Sequence, residues 1–105
     1  MVEQRRTRRF TLQLPLSITR NGTERVMHLG LTKNISSGGV LFTAENEPDI
    51  GVSIEYVITL AGAVDQGVNL RCIGKVLRSN PSDSIQAGYD IAATLERYEF
   101  LRPEE

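Results

Sequence analysis

Two short groups of polar residues have the types and spacing that ligand chemistry requires. The first is Arg5-x-x-x-Arg9, and the second, Asn34-x-Ser36-x-x-Gly39, begins twenty-five residues after Arg9. Residues four apart share a face of a strand or of a helix, so both guanidinium groups can contact one ligand. Guanidinium groups pair bidentately with phosphate and with the O6/N7 edge of guanine, so the pair suits a ligand that contains both. An isolated pair of this kind is more often part of a solvated terminus.

The second group lies in a segment with the composition of a tight corner, Asn34-Ile35-Ser36-Ser37-Gly38-Gly39. Asn, Ser and Gly tolerate positive φ or bond their own backbone, so turn chemistry alone explains these residue types. The same residues can serve a ligand, because an amide offers donors and an acceptor, a hydroxyl offers either, and glycine permits close backbone approach. The residue types of the corner fit both interpretations.

Residue types that support catalysis are sparse. The chain has one histidine, His28, and one cysteine, Cys72, in separate predicted strands, and they form no metal cluster. No serine lies in a nucleophile motif, and neither a Walker A loop nor a dinucleotide fingerprint is present. His28 is expected to be an exposed strand residue rather than an acid or base. We therefore expect a binding domain that is not an enzyme and needs no cofactor.

The charges are divided unevenly along the chain. Residues 1–33 have seven Lys/Arg and two Asp/Glu, a balance of +5, whereas residues 34–105 have five and eleven, a balance of −6. A basic N-terminal third favours an anionic partner only weakly. Cys72 lies in an apolar strand pattern and is expected to be a buried, reduced thiol, which fits the cytoplasm. No segment has the length or apolar character of a membrane span, so no membrane insertion is expected.

Alternation of apolar and polar residues predicts about six antiparallel strands, and at this length closure into one small barrel best removes exposed edges. In the first strand Leu12, Leu14, Leu16 and Ile18 share one face, and Asn21-Gly22 then predicts a hairpin with a type I′ turn. The second strand is predicted to point Met27, Leu29 and Leu31 inward. The predicted strands cover approximately residues 11–19, 24–33, 40–43, 52–60, 68–76 and 85–93.

The pattern changes near the C-terminus, where a short helix is predicted. Thr94 is a suitable N-cap, Leu95, Tyr98 and Leu101 fall on one helical face, and Pro103 would end the helix. The predicted organisation is one domain with three parts: a flexible N-terminal arginine arm at 1–10, an all-β six-stranded antiparallel barrel at 11–93, and a C-terminal helix and tail at 94–105.

The order and separation of the two motifs resemble the two-part signature of the PilZ domain family, and the resemblance extends over nearly the whole chain. Family members have an N-terminal arginine arm, a six-stranded antiparallel barrel and a closing helix that varies between members. In the family, the two motifs together bind the bacterial second messenger cyclic di-GMP. The resemblance therefore implies a cyclic di-GMP receptor in the bacterial cytoplasm that acts on a downstream protein or a fused domain.

The resemblance also implies roles for individual residues. Arg5 and Arg9 would contact phosphate and the Hoogsteen edge of guanine, Asn34 and Ser36 would bond a guanine base, and Gly39 would have a backbone role. Many members have a further arginine just before the first motif, which accompanies binding of a stacked ligand pair. Further candidates in this chain are Gln4, which stands at that arginine's position, together with Arg6, Arg8 and Gly38.

Several alternatives stay open at this stage. Arg6 and Arg8 would face away from Arg5 and Arg9 in an extended arm, where each could be solvated, stack on a base or contact a second ligand copy. A small barrel could instead use the basic arm on single-stranded nucleic acid, but the aromatic residues are too few and too scattered for a stacking platform. We therefore expect no nucleic-acid partner. A third alternative is a barrel that only docks proteins.

Overall fold

The computed structural model describes residues 13–60, 68–82 and 88–101, and these residues form an antiparallel sheet. Its strands are β1 (Pro15–Asn21), β2 (Glu24–Ser36), β3 (Gly39–Ala44), β4 (Ser53–Leu60), β5 (Val68–Pro81), β6 (Tyr89–Thr94) and β7 (Arg97–Leu101). The order is β4-β1-β2-β3-β6-β5-β7, and β4 also pairs with β5. The first six strands therefore close into a barrel, which confirms the predicted all-β architecture.

The barrel encloses a single apolar core. Phe42 and Tyr56 stack at its centre with ring centroids 6.0 Å apart, and the Tyr56 hydroxyl donates a hydrogen bond of 2.9 Å to the Thr94 carbonyl. Cys72 is a free, buried thiol as expected, and burial raises its pKa to about 12. The buried apolar residues of the described chain are Leu16, Ile18, Val40, Phe42, Ala44, Ile54, Tyr56, Ile58, Cys72, Val76, Ile91 and Ala93.

The first hairpin forms where it was predicted, but with a different turn. Asn21 pairs with Glu24, so the two loop residues are Gly22 and Thr23. Gly22 has φ of +67°, and no described residue other than glycine has a positive φ. A type I′ turn would need positive φ at both central positions, whereas a glycine at the first position alone is typical of type II′.

The predicted facing of β2 is wrong. Met27, Leu29 and Leu31 are 65%, 59% and 44% exposed, so this apolar set lies on the outside of the barrel. The other alternating residues of β2, which include Thr32, face inward because Thr32 makes two hydrogen bonds to Leu14. The Thr32 Oγ1 accepts from the Leu14 amide, and the Thr32 backbone amide donates to the Leu14 carbonyl, both at 2.9 Å. These bonds satisfy a buried threonine and fix the register of β2 against the start of β1.

The predicted C-terminal helix is also wrong where the structure describes it. Thr94 ends β6, and Arg97–Leu101 forms β7, which pairs with residues 69–73 of β5. Residues 102–105, including Pro103, lie outside the described residues. A helix this short is marginal in water, whereas a strand here completes the backbone hydrogen bonds along one edge of β5.

Candidate functional site

A β-bulge in β2 sets the faces of the predicted corner residues. Thr32 pairs with Phe42, but the next pair is Asn34 with Leu41, so Lys33 is an extra residue in the strand. Strict alternation would turn Asn34 inward with Thr32, and the extra residue turns it outward instead. Ile35, the next residue, packs against the core. Asn34 and Ser36 therefore share the outer face at the end of β2.

A second β-bulge lies in β5, where this strand pairs with β6. Val76 pairs with Ala93, but the next pair is Arg78 with Ala92, so Leu77 is the extra residue. Leu77 is 56% exposed, and Arg78 is also exposed. Arg78 has no ion-pair partner within residues 13–60, 68–82 and 88–101. The bulge therefore presents a cation, without an acidic partner among the described residues, on the same outer face as Asn34.

The paired residues form a row across four neighbouring strands. Asn34 pairs with Leu41, Leu41 with Ala92, and Ala92 with Arg78. Three strand spacings of about 4.8 Å separate the ends of this row, so Asn34 and Arg78 stand roughly 14 Å apart. The row crosses an open depression of about 230 Å³. It is lined by Asn34, Ser36, Gly38, Gly39, Val40, Leu41, Leu77, Arg78, Ala92 and Ala93.

The corner itself is a two-residue hairpin held by Ser36. The Ser36 hydroxyl accepts from the Gly38 amide and donates to the Gly39 carbonyl, both at 3.4 Å. The Leu95 amide donates to the Gly38 carbonyl at 3.0 Å, which ties the corner to the end of β6. These bonds are all internal to the chain, so the corner has a defined conformation of its own. Neither corner glycine has the positive φ that its composition led us to expect.

The two corner glycines have different surroundings. A Cβ on Gly39 would approach the Ala93 carbonyl oxygen to 2.9 Å, so close contact between β3 and β6 requires this glycine. A Cβ on Gly38 would meet no atom within 4 Å. Packing within the described chain therefore explains Gly39 and leaves Gly38 unexplained, in a position that lines the depression.

Four of the predicted site residues lie together, namely Asn34, Ser36, Gly38 and Gly39. The arm residues Gln4, Arg5, Arg6, Arg8 and Arg9 lie outside the described residues. The chain joins the barrel at Leu14, which is bonded to Thr32, two residues before Asn34.

Sequence reasoning missed Arg78 and Leu77. Their signal was a break in alternation after Val76, where two residues in succession lie outside the barrel. A break of this kind is typical of a bulge, but no local rule gives its partner across the sheet.

The described residues offer no obvious site for other chemistry. They contain no group of three His, Cys, Asp or Glu side chains arranged to hold a metal ion. His28 pairs with Ile18 and is half-buried rather than exposed, and it has no role in the depression. Within the part of the chain that the structure describes, no helix is both long and apolar enough to cross a membrane.

Comparison with known proteins agrees with this fold. The fold is similar to the structure of the Bacillus subtilis inhibitor of motility, MotI/DgrA, with a TM-score of 0.69 and 18% identity over 93% of this chain. The chain spans 45% of the length of that structure, and at this identity the likeness shows the fold alone. No curated protein sequence matches the chain significantly. The family model of the PilZ domain matches residues 3–100, and the chain therefore belongs to the PilZ domain family.

Proposed function

We propose that this chain is a cyclic di-GMP receptor domain whose ligand binds in the depression between the Asn34 corner and Arg78. Membership of the PilZ family supports the ligand class. The observation on which the proposal depends is the bulge at Lys33, which turns Asn34 and Ser36 together onto the outer face of the barrel. In the proposed complex, Arg5 and Arg9 close over the ligand from the arm.

The residue chemistry on this surface suits a guanine nucleotide. The Asn34 amide provides two donors and an acceptor for a base edge, and the Ser36 hydroxyl, whose proton is donated to Gly39, keeps one lone pair that can accept. Arg78, at the far end of the row, is a guanidinium without an acidic partner among the described residues, and it suits a phosphate or a guanine edge. Ala92 and Gly39 line the surface between them and leave room for a flat base.

The covalent reach of the arm is sufficient for this arrangement. Arg9 is five residues before Leu14, whose bonds to Thr32 hold the chain beside β2. Leu14 lies one strand spacing beyond β2 and therefore about 19 Å from Arg78, whereas five extended residues span up to about 17 Å. Arg9 can therefore reach the Asn34 end and most of the row, and Arg5, nine residues before Leu14, can reach the Arg78 end because nine residues span up to about 30 Å.

The same proposal gives roles to the remaining arm residues. Arg6 and Arg8 face away from Arg5 and Arg9 in an extended arm and would stack on a base or lie in solvent. Gln4 replaces the arginine that accompanies a stacked pair in the family, so we propose one cyclic di-GMP per domain. The resulting complex presents a new surface to a downstream protein or a fused domain in the bacterial cytoplasm.

The test is a calorimetric titration of the full chain with cyclic di-GMP, GTP and a short single-stranded oligonucleotide at two salt concentrations. We expect saturable binding of cyclic di-GMP, much weaker binding of GTP and no specific binding of the oligonucleotide. Oligonucleotide binding that falls steeply with salt would instead indicate a nucleic-acid module. Absence of heat with every ligand would leave a barrel that only docks proteins, and would refute the proposal.

A further inference from the structure

The strand β7 has one paired edge and one open edge among the described residues. Residues 97–101 pair with β5, and no other described strand pairs with them. No strand of the described residues occupies the neighbouring position, because β3 begins at Gly39, opposite Thr94, before β7 starts. An open edge presents unpaired backbone donors and acceptors, which can bind another strand.

The side chains of β7 are divided between its two faces. Tyr98 lies on the face of its partner Cys72, together with Phe100, and the two rings meet edge to face at 6.1 Å. Both are 59% exposed, which is unusual for an aromatic pair on that face. Arg97 and Glu99 lie on the opposite face. The edge thus combines an exposed aromatic pair with two opposite charges.

We infer that β7 is an interface between two copies of this chain, which pair antiparallel through their open edges about a two-fold axis at Tyr98. In this register Tyr98 lies opposite its own copy, and Phe100 is diagonal to Tyr98 of the second copy. Arg97 lies opposite Glu99 of the second copy, and the symmetry makes this pair twice. The two barrels then share a continuous sheet.

The charge pattern of β7 favours a second copy of the chain as its partner, and it favours the Tyr98-centred register. A register centred on Glu99 would oppose two carboxylates, whereas the Tyr98-centred register opposes each arginine to a carboxylate. Glu99 already bonds Arg71 at 2.8 Å, and its second oxygen can accept from Arg97 of the other copy. Arg97 has no ion-pair partner among the described residues, so the second copy supplies one.

The exposed residues of β2 are a less suitable interface for a second copy. Arg25 and Lys33 flank Met27, Leu29 and Leu31 on the same strand and face. Whether two copies of this face pack parallel or antiparallel about a two-fold axis, cations lie against cations. In the Tyr98-centred register the strand β7 is self-complementary in charge, and β2 is not.

The test is sedimentation equilibrium of the full chain without ligand over a wide range of protein concentration. We expect a reversible monomer–dimer equilibrium that is weakened roughly tenfold or more by Arg97→Glu and by Phe100→Asp. Arg97→Lys should retain most of the dimer. Leu29→Asp is the matched control, because Leu29 is 59% exposed, like Tyr98 and Phe100, but lies on β2.

A mixture of two charge-reversed variants distinguishes loss of the interface from damage to the fold. Arg97→Glu and Glu99→Arg should each be monomeric alone, because each opposes like charges across the axis. Mixed in equal amounts they should form a heterodimer, since every opposed pair is again of opposite sign. A wild-type chain that stays monomeric, a dimer that Leu29→Asp but not Phe100→Asp disrupts, or a mixture that fails to associate would each overturn the inference.

Discussion

Gly38 and Gly39 are adjacent, yet they are glycines for different physical reasons. The hydrogen of Gly39 faces the Ala93 carbonyl, so the barrel wall itself requires a residue without Cβ. A Cβ on Gly38 would meet no atom within 4 Å, and Gly38 lines the depression. In the proposed function, Gly39 therefore holds the sheet together, whereas Gly38 leaves room for a base to approach.

Alanine at each glycine should therefore separate stability from binding. Gly39→Ala should lower the free energy of unfolding by about 1–3 kcal/mol, because the new methyl group presses on β6. Gly38→Ala should change it by less than about 0.5 kcal/mol but weaken cyclic di-GMP binding. Urea denaturation and calorimetry measure the two effects. Full affinity in Gly38→Ala would argue against close approach of the ligand at this position.

The proposed role of Arg9 depends on the shape of its side chain as well as on its charge. Arg9→Ala should reduce cyclic di-GMP affinity at least roughly tenfold, since a charge-assisted hydrogen bond contributes about 1.5–3 kcal/mol. Arg9→Lys should also weaken binding, because an ammonium group cannot make the bidentate contact. Calorimetry measures both.

The matched control for Arg9 is Arg25→Ala, which removes an exposed arginine of β2. This variant should bind normally, and all three variants should unfold at the same urea concentration as the wild type. If Arg9→Lys kept full affinity while Arg9→Ala lost it, the contact would be purely electrostatic.

At the scale of the strands, β2 shows why alternation alone did not give the facing of its side chains. Its apolar set is outside, and its inward set includes Gly30 and Thr32. A Cβ on Gly30 would collide with the Thr43 carbonyl, so a close approach of β3 requires glycine there. Thr32 is satisfied by Leu14. Tertiary contacts of two small or polar residues thus outweigh the burial of Met27, Leu29 and Leu31.

Stability measurements can check this facing of β2. Leu29→Gln should change the free energy of unfolding by less than about 0.5 kcal/mol, because the side chain is already in solvent. Ile35→Ala should cost about 1–3 kcal/mol, because Ile35 packs against the core beyond the bulge. Urea denaturation of both variants measures the difference. A larger loss in Leu29→Gln would mean that β2 has the opposite facing.

At the scale of the whole molecule, the proposed receptor combines a rigid half-site with a segment that has no apolar pattern of its own. Ordering about five arm residues costs roughly 1–2 kcal/mol each. The arginine contacts would do little more than offset this cost, so contacts to Asn34 and Ser36 must provide the net affinity. Ligand binding would then be coupled to a change in the surface that partners meet.

Hydrogen exchange can detect that coupling. Amides of residues 4–10 should exchange at unprotected rates without ligand and slow at saturating cyclic di-GMP, because the ligand would clamp the arm over the corner. Amides of β1, in the sheet throughout, provide the internal control. Equally fast exchange of residues 4–10 with and without ligand would contradict the disorder-to-order mechanism.

The sequence by itself determined the strand-rich architecture, the first hairpin, the buried thiol and the two motifs, because each depends on local periodicity or on residue type. Only the tertiary structure decided that Lys33 and Leu77 are bulges, that Arg78 stands across the depression from Asn34, and that residues 97–101 form a strand. These features depend on which strands become neighbours. A bulge is defined by its partner strand. The strand β7 forms because the edge of β5 provides backbone hydrogen bonds that a short isolated helix could not match.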